Sequence, residues 1–291
     1  MKIIFNGIKH HTTSKIACRQ TLSYCRRQFS CLIIFVAFLF IYTYLLERKA
    51  LYYPSRKIEF SPAELGLRYE DVFFRTADGV ELHGWFVPAE GAVVTILYCH
   101  GNAGNISHRV EIAKMFNERK MNFFIFDYRG FGRSKGWPTE KGTYLDAQAA
   151  YDYLVGRQDI DRNRIVIFGK SLGAAIAIDL ASKVKVAALI SESSFTSTRD
   201  MARAIYPLLS FWFFLGHNYN TYTRIAKIDA PKLIIHSRDD EIVPFSQGQR
   251  LFAKAKPPKE FYVMRGGHND AFYIYNAECM QKISDFLKRY K

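Results

Sequence analysis

The middle of the chain reads Ile165-Val166-Ile167-Phe168-Gly169-Lys170-Ser171-Leu172-Gly173-Ala174-Ala175-Ile176-Ala177-Ile178. Its first four residues are β-branched or aromatic, which favours a buried strand. The residues after Gly173 are small and apolar, which favours a helix. A serine between two glycines at a strand-to-helix junction is typical of a nucleophile elbow. This stretch therefore predicts an α/β sheet with a reactive serine at its edge.

The serine of such an elbow needs neighbours that are almost without side chains, because the turn that exposes its hydroxyl is tight and strained. Gly169 and Gly173 meet that need. The helix that follows points its N-terminus at Ser171, where backbone N–H groups favour negative charge. We therefore expect Ser171 to be the nucleophile.

A second pentapeptide of the same form, Gly132-Arg133-Ser134-Lys135-Gly136, also follows an apolar run, at 123–126. Trp137-Pro138 comes next, and no helix of small residues can begin there. The context of the two motifs, rather than the pattern itself, favours Ser171 over Ser134.

Beyond residue 62 the sequence predicts an initial hairpin and then alternating strands and helices. The hairpin turn is Ala77-Asp78-Gly79. Strands are predicted at 69–75, 80–87, 92–99, 121–126, 165–168, 186–191, 232–236 and 260–264, and helices at 106–120, 139–156, 172–183, 245–255 and 276–290. This order predicts an α/β fold with a mostly parallel central sheet of about eight strands, helices on both faces and a small cap or none.

In such sheets the site lies outside the carboxyl ends of the strands, so functional residues should directly follow strands. After the strand at 92–99 comes His100-Gly101-Asn102-Ala103-Gly104-Asn105. Its glycines allow close approach of a substrate to the backbone. We expect the N–H groups of Asn102 and Leu172 to form an oxyanion hole, with Ala103 as the alternative to Asn102.

A serine nucleophile needs a base and a carboxylate that orients the base. His268 follows the last predicted strand in a glycine turn and is the predicted base. The other histidines near loops or strand ends are His100, His108, His217 and His236. Asp240, in the frame Asp240-Glu241-Ile242-Val243-Pro244, is the predicted acid. Asp239, Glu241 and Asp270 are the alternatives, and Asp270 is also expected to cap the following helix.

Taken together, five ordered motifs resemble those of the α/β-hydrolase superfamily: 100–105, 127–134, 169–173, 240–244 and 267–268. The chain is most similar to membrane-anchored single-domain serine hydrolases that include eukaryotic depalmitoylating thioesterases. The resemblance covers residues 52–291 and implies an acyl-enzyme esterase mechanism with no cofactor. Cys18 and Cys25 do not make the palmitoylated cluster of some soluble relatives, so depalmitoylation is not carried over.

The N-terminus has a different composition. Residues 1–28 contain no acid and carry Lys2, Lys9, Lys15, Arg19, Arg26 and Arg27. The apolar run at 29–46 would be roughly 27 Å long as a helix, close to the thickness of a bilayer. The sequence thus predicts a basic segment (1–28), a transmembrane anchor (29–46), a linker (47–62) and a catalytic domain (63–291).

Glu47-Arg48-Lys49 follows the apolar run in place of the small residues of a signal-peptide cleavage site. The basic flank ahead of the run favours an N-terminus in the cytosol and a periplasmic or extracytoplasmic catalytic domain. Arg48 and Lys49 place positive charge on the other side as well, which weakens this orientation.

The net charge of +14 comes with no nucleic-acid-binding motif, so it indicates a solvated or lipid-facing surface. Five cysteines, an odd number, do not indicate a disulfide scaffold. No Cys/His group has the spacing of a zinc site, so a metal is not expected.

The expected substrate is an acyl ester or thioester. The apolar stretch at 206–215 is a candidate acyl pocket or membrane contact, and equally a helix packed on the core. A serine peptidase or amidase is the alternative enzyme, since the same triad performs that chemistry. A non-catalytic membrane-tethered binding protein is the third interpretation, but its usual signature is the loss of a triad residue, and none is lost here.

Overall fold

The computed structural model describes residues 8–205 and 218–290. Residues 1–46 and 47–291 form two separate compact units. Helix α1, Ile8–Leu51, contains the apolar run at 29–46. In the described part of the chain, no helix combines the length and the apolarity that crossing a bilayer requires. The predicted anchor is thus not confirmed, and the location of the catalytic domain stays a prediction.

The larger unit is built on an eight-stranded sheet. Its strands are β1 (Glu70–Arg75), β2 (Glu81–Val87), β3 (Val94–Cys99), β4 (Met121–Phe126), β5 (Ile165–Lys170), β6 (Ala188–Glu192), β7 (Lys232–Ser237) and β8 (Lys259–Met264). The order across the sheet is β1-β2-β4-β3-β5-β6-β7-β8. Strand β2 is antiparallel to both of its neighbours, and strands β3 to β8 are parallel. This confirms the predicted hairpin and the mostly parallel sheet.

Helices cover both faces of the sheet, because both faces of its strands are apolar. In β3, Ile96 and Tyr98 belong to one hydrophobic cluster and Leu97 and Cys99 to the other. The helices of this unit are α2 (Val110–Asn117), α3 (Glu140–Gly156), α4 (Leu172–Ala181), α5 (Thr198–Ile205), α6 (Thr221–Ile225), α7 (Phe245–Lys254), α8 (Ala271–Ile274) and α9 (Asn276–Arg289). Residues of α3, α4 and α7 pack in the first cluster, and residues of α2 and α9 in the second.

The register of the parallel strands brings the predicted functional loops to one edge. Gly169, at the end of β5, pairs with Cys99 of β3 and Ser191 of β6. Ser237 of β7 pairs with Met264 of β8, so the loops that carry Asp240 and His268 leave the sheet side by side. The parallel arrangement alone therefore assembles residues that are far apart in the sequence.

Two segments differ from the expectations. The helix predicted at 106–120 is a 3-10 helix, Ile106–Arg109, followed by the shorter α2. Its start is fixed by the Asp127 carboxylate, which accepts from the Ile106 N–H at 3.0 Å. The predicted linker at 47–62 is not free of the domain, because Tyr53–Pro54 pairs as a short parallel strand with Ala103–Gly104.

Candidate active site

Ser171 follows β5 directly and precedes the first residue of α4. Its backbone has φ 53° and ψ −118°, a combination that residues with a side chain rarely adopt. The Ser171 N–H donates to the Glu192 carbonyl at 2.9 Å, and the Ser171 carbonyl accepts from the Ala174 N–H at 2.9 Å. Backbone hydrogen bonds thus hold the strained serine on both sides, as a sharp strand-to-helix turn requires.

Close approach of backbone explains both glycines of the elbow. A Cβ atom on Gly169 would lie 2.3 Å from the carbonyl oxygen of Gly173. One on Gly173 would lie 2.0 Å from the carbonyl oxygen of Cys99. Neither glycine has a positive φ, so packing rather than backbone conformation excludes a side chain here.

Asp240 and His268 are hydrogen-bonded to each other. Nδ1 of His268 lies 2.9 and 2.8 Å from the two carboxylate oxygens. Because an ionised carboxylate only accepts, Nδ1–H of His268 donates this hydrogen bond. Burial raises the pKa of Asp240, but hydrogen bonding and charge from His268, with the Val243 N–H, outweigh it and hold that pKa below its ordinary value. Asp240 is therefore ionised at neutral pH and orients the imidazole.

The other acidic candidates have different partners. Asp239 is exposed and accepts from the Gly266 N–H at 3.2 Å. Glu241 accepts from the backbone N–H of His268 at 2.9 Å, so it fixes the loop rather than the ring. Asp270 stands at the N-cap position of α8, but its side chain makes no capping hydrogen bond.

His100 and His236 are buried, and a ring nitrogen of each bonds a backbone carbonyl. His100 Nδ1 bonds the Gly101 carbonyl at 2.7 Å, and burial lowers the pKa of this histidine to about 3. His236 Nε2 donates to the Val243 carbonyl at 2.9 Å and lies 3.6 Å from Asp240 Oδ2. Burial lowers the pKa of His236 as well, so both rings are neutral at neutral pH.

Of the remaining two histidine candidates, only His108 belongs to the described residues, and it is not part of the cavity lining around Ser171. His108 Nδ1 accepts from the Asn105 N–H at 3.2 Å, and its Nε2 lies 3.6 Å from Glu59. His217 lies outside the described residues, as does the apolar stretch at 206–215. Of the described histidines, His268 is the one that shares a cavity with Ser171.

That cavity has a volume of about 240 Å³. Besides Ser171 and His268, it is lined by Gly101, Asn102, Ala103, Arg109, Ile112, Lys170, Asn269 and Tyr273. Among the hydrogen bonds of the described residues, none joins the Ser171 hydroxyl to His268. Catalytic hydrogen bonds of this kind often tighten only when a substrate is bound.

Asn102 and Ala103 form the cavity wall that faces the elbow, where the sequence places the oxyanion hole. Their loop is fixed from behind, since the Tyr128 hydroxyl donates to the His100 carbonyl at 2.9 Å. Leu172 is the first residue of α4, and its N–H has no acceptor within the helix. The choice between Asn102 and Ala103 stays open, and the oxyanion hole stays a prediction.

A buried ion pair at the elbow was not predicted from the sequence. Lys170 Nζ lies 2.9 Å from Glu192 Oε1, and both side chains are almost fully buried. A charged residue beside the serine of an elbow was a signal that could have drawn attention to Lys170. Nothing in the sequence pattern marked Glu192, whose position opposite Lys170 follows from the pairing of β5 with β6.

Comparison with known proteins places the chain among α/β hydrolases. A family described as the alpha/beta hydrolase fold matches residues 94–215. The alpha/beta hydrolase domain-containing protein WAV2 of Arabidopsis thaliana is 38% identical over 272 residues, which cover 84% of this chain and 88% of that protein. Protein bem46 of Schizosaccharomyces pombe is 34% identical over 274 residues, 87% of this chain and 88% of that protein.

Solved structures agree on the fold. An esterase of Pyrococcus furiosus superposes with a TM-score of 0.71 at 23% sequence identity. The match covers 82% of this chain and 98% of the esterase. An acetyl xylan esterase from Paenibacillus superposes with a TM-score of 0.62 at 20% identity, over 76% of this chain and 83% of that enzyme.

Proposed function

Because the chain belongs to the α/β-hydrolase family, we propose that it is a serine hydrolase that cleaves carboxylic esters or thioesters through an acyl-enzyme. One observation carries the proposal. Ser171, held in a strained elbow, lines the same cavity as His268, whose Nδ1 is held by the ionised Asp240. This arrangement leaves Nε2 of the imidazole as the base available to the serine hydroxyl.

In the proposed reaction the Ser171 oxygen attacks the acyl carbon while His268 Nε2 takes the hydroxyl proton. The N–H groups of Leu172 and of Asn102 or Ala103 stabilise the oxyanion that forms. The tetrahedral intermediate collapses and expels an alcohol or thiol, which receives its proton from His268. Water, deprotonated by the same imidazole, then attacks the acyl-enzyme and releases the acid and free Ser171.

The structure favours esters over the peptidase alternative in one respect. A peptidase that recognises a free amino terminus needs an acidic group in its pocket to bind the ammonium. Among the described residues that line the cavity, none is Asp or Glu. The lining instead carries Arg109, which would repel an ammonium group.

The proposal is tested with the purified full-length chain and three acyl substrates of equal chain length: a 4-nitrophenyl ester, a thioester and a 4-nitroanilide. We expect turnover of the oxygen ester or the thioester and little or none of the anilide. Release of 4-nitrophenolate, or of thiol captured by a disulfide reagent, gives the rate. Ser171→Ala should remove the activity, and a fluorophosphonate probe should label the native chain at Ser171.

Two outcomes would contradict the proposal. Hydrolysis or probe labelling that persists in Ser171→Ala would exclude this serine as the nucleophile. Preferential cleavage of the anilide would make the chain an amidase, with the same triad but another substrate class.

A further inference from the structure

Arg109 lines the cavity of Ser171 and His268, although it belongs to neither the predicted triad nor the predicted oxyanion hole. It is the last residue of the 3-10 helix Ile106–Arg109 and directly precedes α2. The loop at 100–105, where the oxyanion hole is predicted, is joined to α2 by this 3-10 helix. The Arg109 guanidinium therefore lies on the side of the cavity next to Ala103.

The guanidinium is held by its own loop. Nη1 donates to the His108 carbonyl at 3.0 Å, and Nη2 donates to the Ala103 carbonyl at 3.2 Å. Arginine has five N–H donors, so three of them are left for another acceptor. Because the planar group is already oriented, a bound anion would cost little further side-chain entropy.

No carboxylate of the described residues pairs with Arg109, whose hydrogen bonds are to carbonyl oxygens only. The stretch 206–217, which the structure does not describe, contains no Asp or Glu in its sequence. The other cation of the cavity, Lys170, is already neutralised by Glu192 at 2.9 Å. Arg109 is thus the uncompensated charge of the cavity lining.

Asp240, the acid bonded to His268, does not balance this charge. Asp240 stands behind the imidazole and is not part of the cavity lining. Its oxygens are occupied by His268 and by the N–H groups of Ile242 and Val243. A cavity with an uncompensated guanidinium on its wall attracts a substrate of opposite charge.

We propose that Arg109 binds an anionic group of the substrate, so that preferred substrates are esters or thioesters carrying a carboxylate or phosphate near the scissile bond. The inference rests on the proposed hydrolase function of Ser171. It makes Arg109 a specificity-determining residue, because a guanidinium bonded to an anion distinguishes charged from neutral acyl compounds of the same size.

A purely structural role is the competing explanation, since Arg109 also holds the Ala103 carbonyl of the oxyanion loop. A loosened loop would slow charged and neutral esters in parallel. Loss of anion binding would instead lower the ratio of kcat/KM for the two. The ratio therefore separates the two roles.

The experiment compares mono-4-nitrophenyl adipate with 4-nitrophenyl hexanoate, which have the same number of acyl carbons and differ in one carboxylate. A second pair places the anion on the leaving group: 4-acetoxybenzoate and 4-acetoxybenzamide. We expect Arg109→Gln to lower the charged-to-neutral ratio of kcat/KM about tenfold in one of the pairs, and Arg109→Lys to retain part of it. The pair that responds identifies the side of the scissile bond that carries the anion.

Arg119→Gln is the matched control, because Arg119 donates to the Met115 carbonyl at 3.2 Å and is not part of the cavity lining. The charged-to-neutral ratio of kcat/KM of Arg119→Gln should equal that of the native chain. In the native chain the ratio should fall as ionic strength rises, since salt screens a partly exposed ion pair.

The inference is overturned if Arg109→Gln changes neither ratio by more than about twofold, or if Arg119→Gln produces the same change. Hydrolysis of the neutral esters in that case would leave the proposed function intact. If the native chain cleaves none of the four esters and Ser171 takes no fluorophosphonate label, the proposed function and this inference both fail.

Discussion

Ser134 and Ser171 stand in pentapeptides of the same form, but their hydroxyls have different surroundings. Ser134 is fully buried; its Oγ accepts from the His83 N–H at 2.9 Å and donates to the Asp127 carbonyl at 2.6 Å. Ser171 is partly exposed and lines a cavity with His268. A hydroxyl that is already bonded on both sides holds two segments together, whereas one that faces a cavity beside an imidazole can react.

The backbone after each serine also differs. The helix α4 begins at Leu172, directly after Ser171, so its positive N-terminus acts on the serine. After Ser134 the chain continues through Gly136, with φ 77°, and the next helix begins only at Glu140. The pentapeptide thus marks a tight turn in both places. The element that follows the turn decides whether a helix N-terminus lies next to the serine hydroxyl.

The sharpest way to break this comparison is to remove each hydroxyl in turn. Ser171→Ala should lower ester hydrolysis by about 10⁴-fold or more, because the nucleophile is lost while the fold is kept. Ser134→Ala should keep fluorophosphonate labelling. Initial rates and intact-protein mass after labelling measure both effects. Labelling that is lost from Ser134→Ala and kept in Ser171→Ala would reverse the assignment.

His268 lines the cavity of Ser171 and is hydrogen-bonded to Asp240, and the neighbouring Asp239 allows a matched test of the role proposed for Asp240. Asp240→Asn should lower kcat about 10³-fold or more, since an amide no longer fixes the imidazole tautomer or stabilises its positive charge. Asp239→Asn, which loses an exposed pair with Arg265 at 2.8 Å, should change kcat by no more than a few fold. Steady-state kinetics on a 4-nitrophenyl ester gives both values; a larger effect at Asp239 would identify it as the acid.

The packing of the elbow can be tested through its second glycine. Gly173→Ala places a methyl group 2.0 Å from the Cys99 carbonyl oxygen, so the helix must move. We expect a loss of about 3 kcal/mol in the free energy of unfolding. Gly156→Ala is the control, because beyond its chain neighbours and its own helix backbone nothing lies within 4 Å of its added Cβ. Urea unfolding of both variants measures the difference, and equal stabilities would show that the elbow is not closely packed.

The smallest effect concerns the structural serine. Ser134→Ala leaves the buried His83 N–H and Asp127 carbonyl without that partner, which should cost about 2 kcal/mol of unfolding free energy. Ser284→Ala is the control, since its hydroxyl bonds the Met280 carbonyl on a partly exposed helix. Urea midpoints at constant slope give the comparison. If the Ser134→Ala variant is as stable as the native chain, the Ser134 hydroxyl does not stabilise the contact between β2 and the loop after β4.

Most of the fold was predictable, because strands buried on both faces are long apolar runs and the turns between them carry glycine or aspartate. The hairpin at 77–79 and the helices at 139–156 and 245–255 are close to their observed bounds. The helix predicted at 106–120 begins at its predicted start as a 3-10 helix, Ile106–Arg109, and its α-helical part ends early, at Asn117. The Ile106 N–H donates to the Asp127 carboxylate, a partner that helical periodicity does not reveal.

The sequence predicted which residues lie at the candidate site, but it did not predict how the charged side chains there are paired. Residues after parallel strands meet at one edge, so Asn102, Ser171, Asp240 and His268 could be grouped from their places in the chain. The ion pair of Lys170 with Glu192 and the place of Arg109 in the cavity lining depend on which side chains the neighbouring strands and loops bring together. A periodic pattern carries no information on such pairs.

By itself the sequence determined the strand-to-helix turn, the order of the candidate serine, acid and base, and the strand ends that carry them, since glycine positions and apolar runs are local properties. Only the tertiary structure decided which partners each hydroxyl and each aspartate meet. Asp240 meets a histidine 28 residues away and Ser134 a backbone N–H 51 residues away. Those partners come together only when the sheet forms, and they leave one serine hydroxyl buried between two segments and the other in a cavity that a histidine also lines.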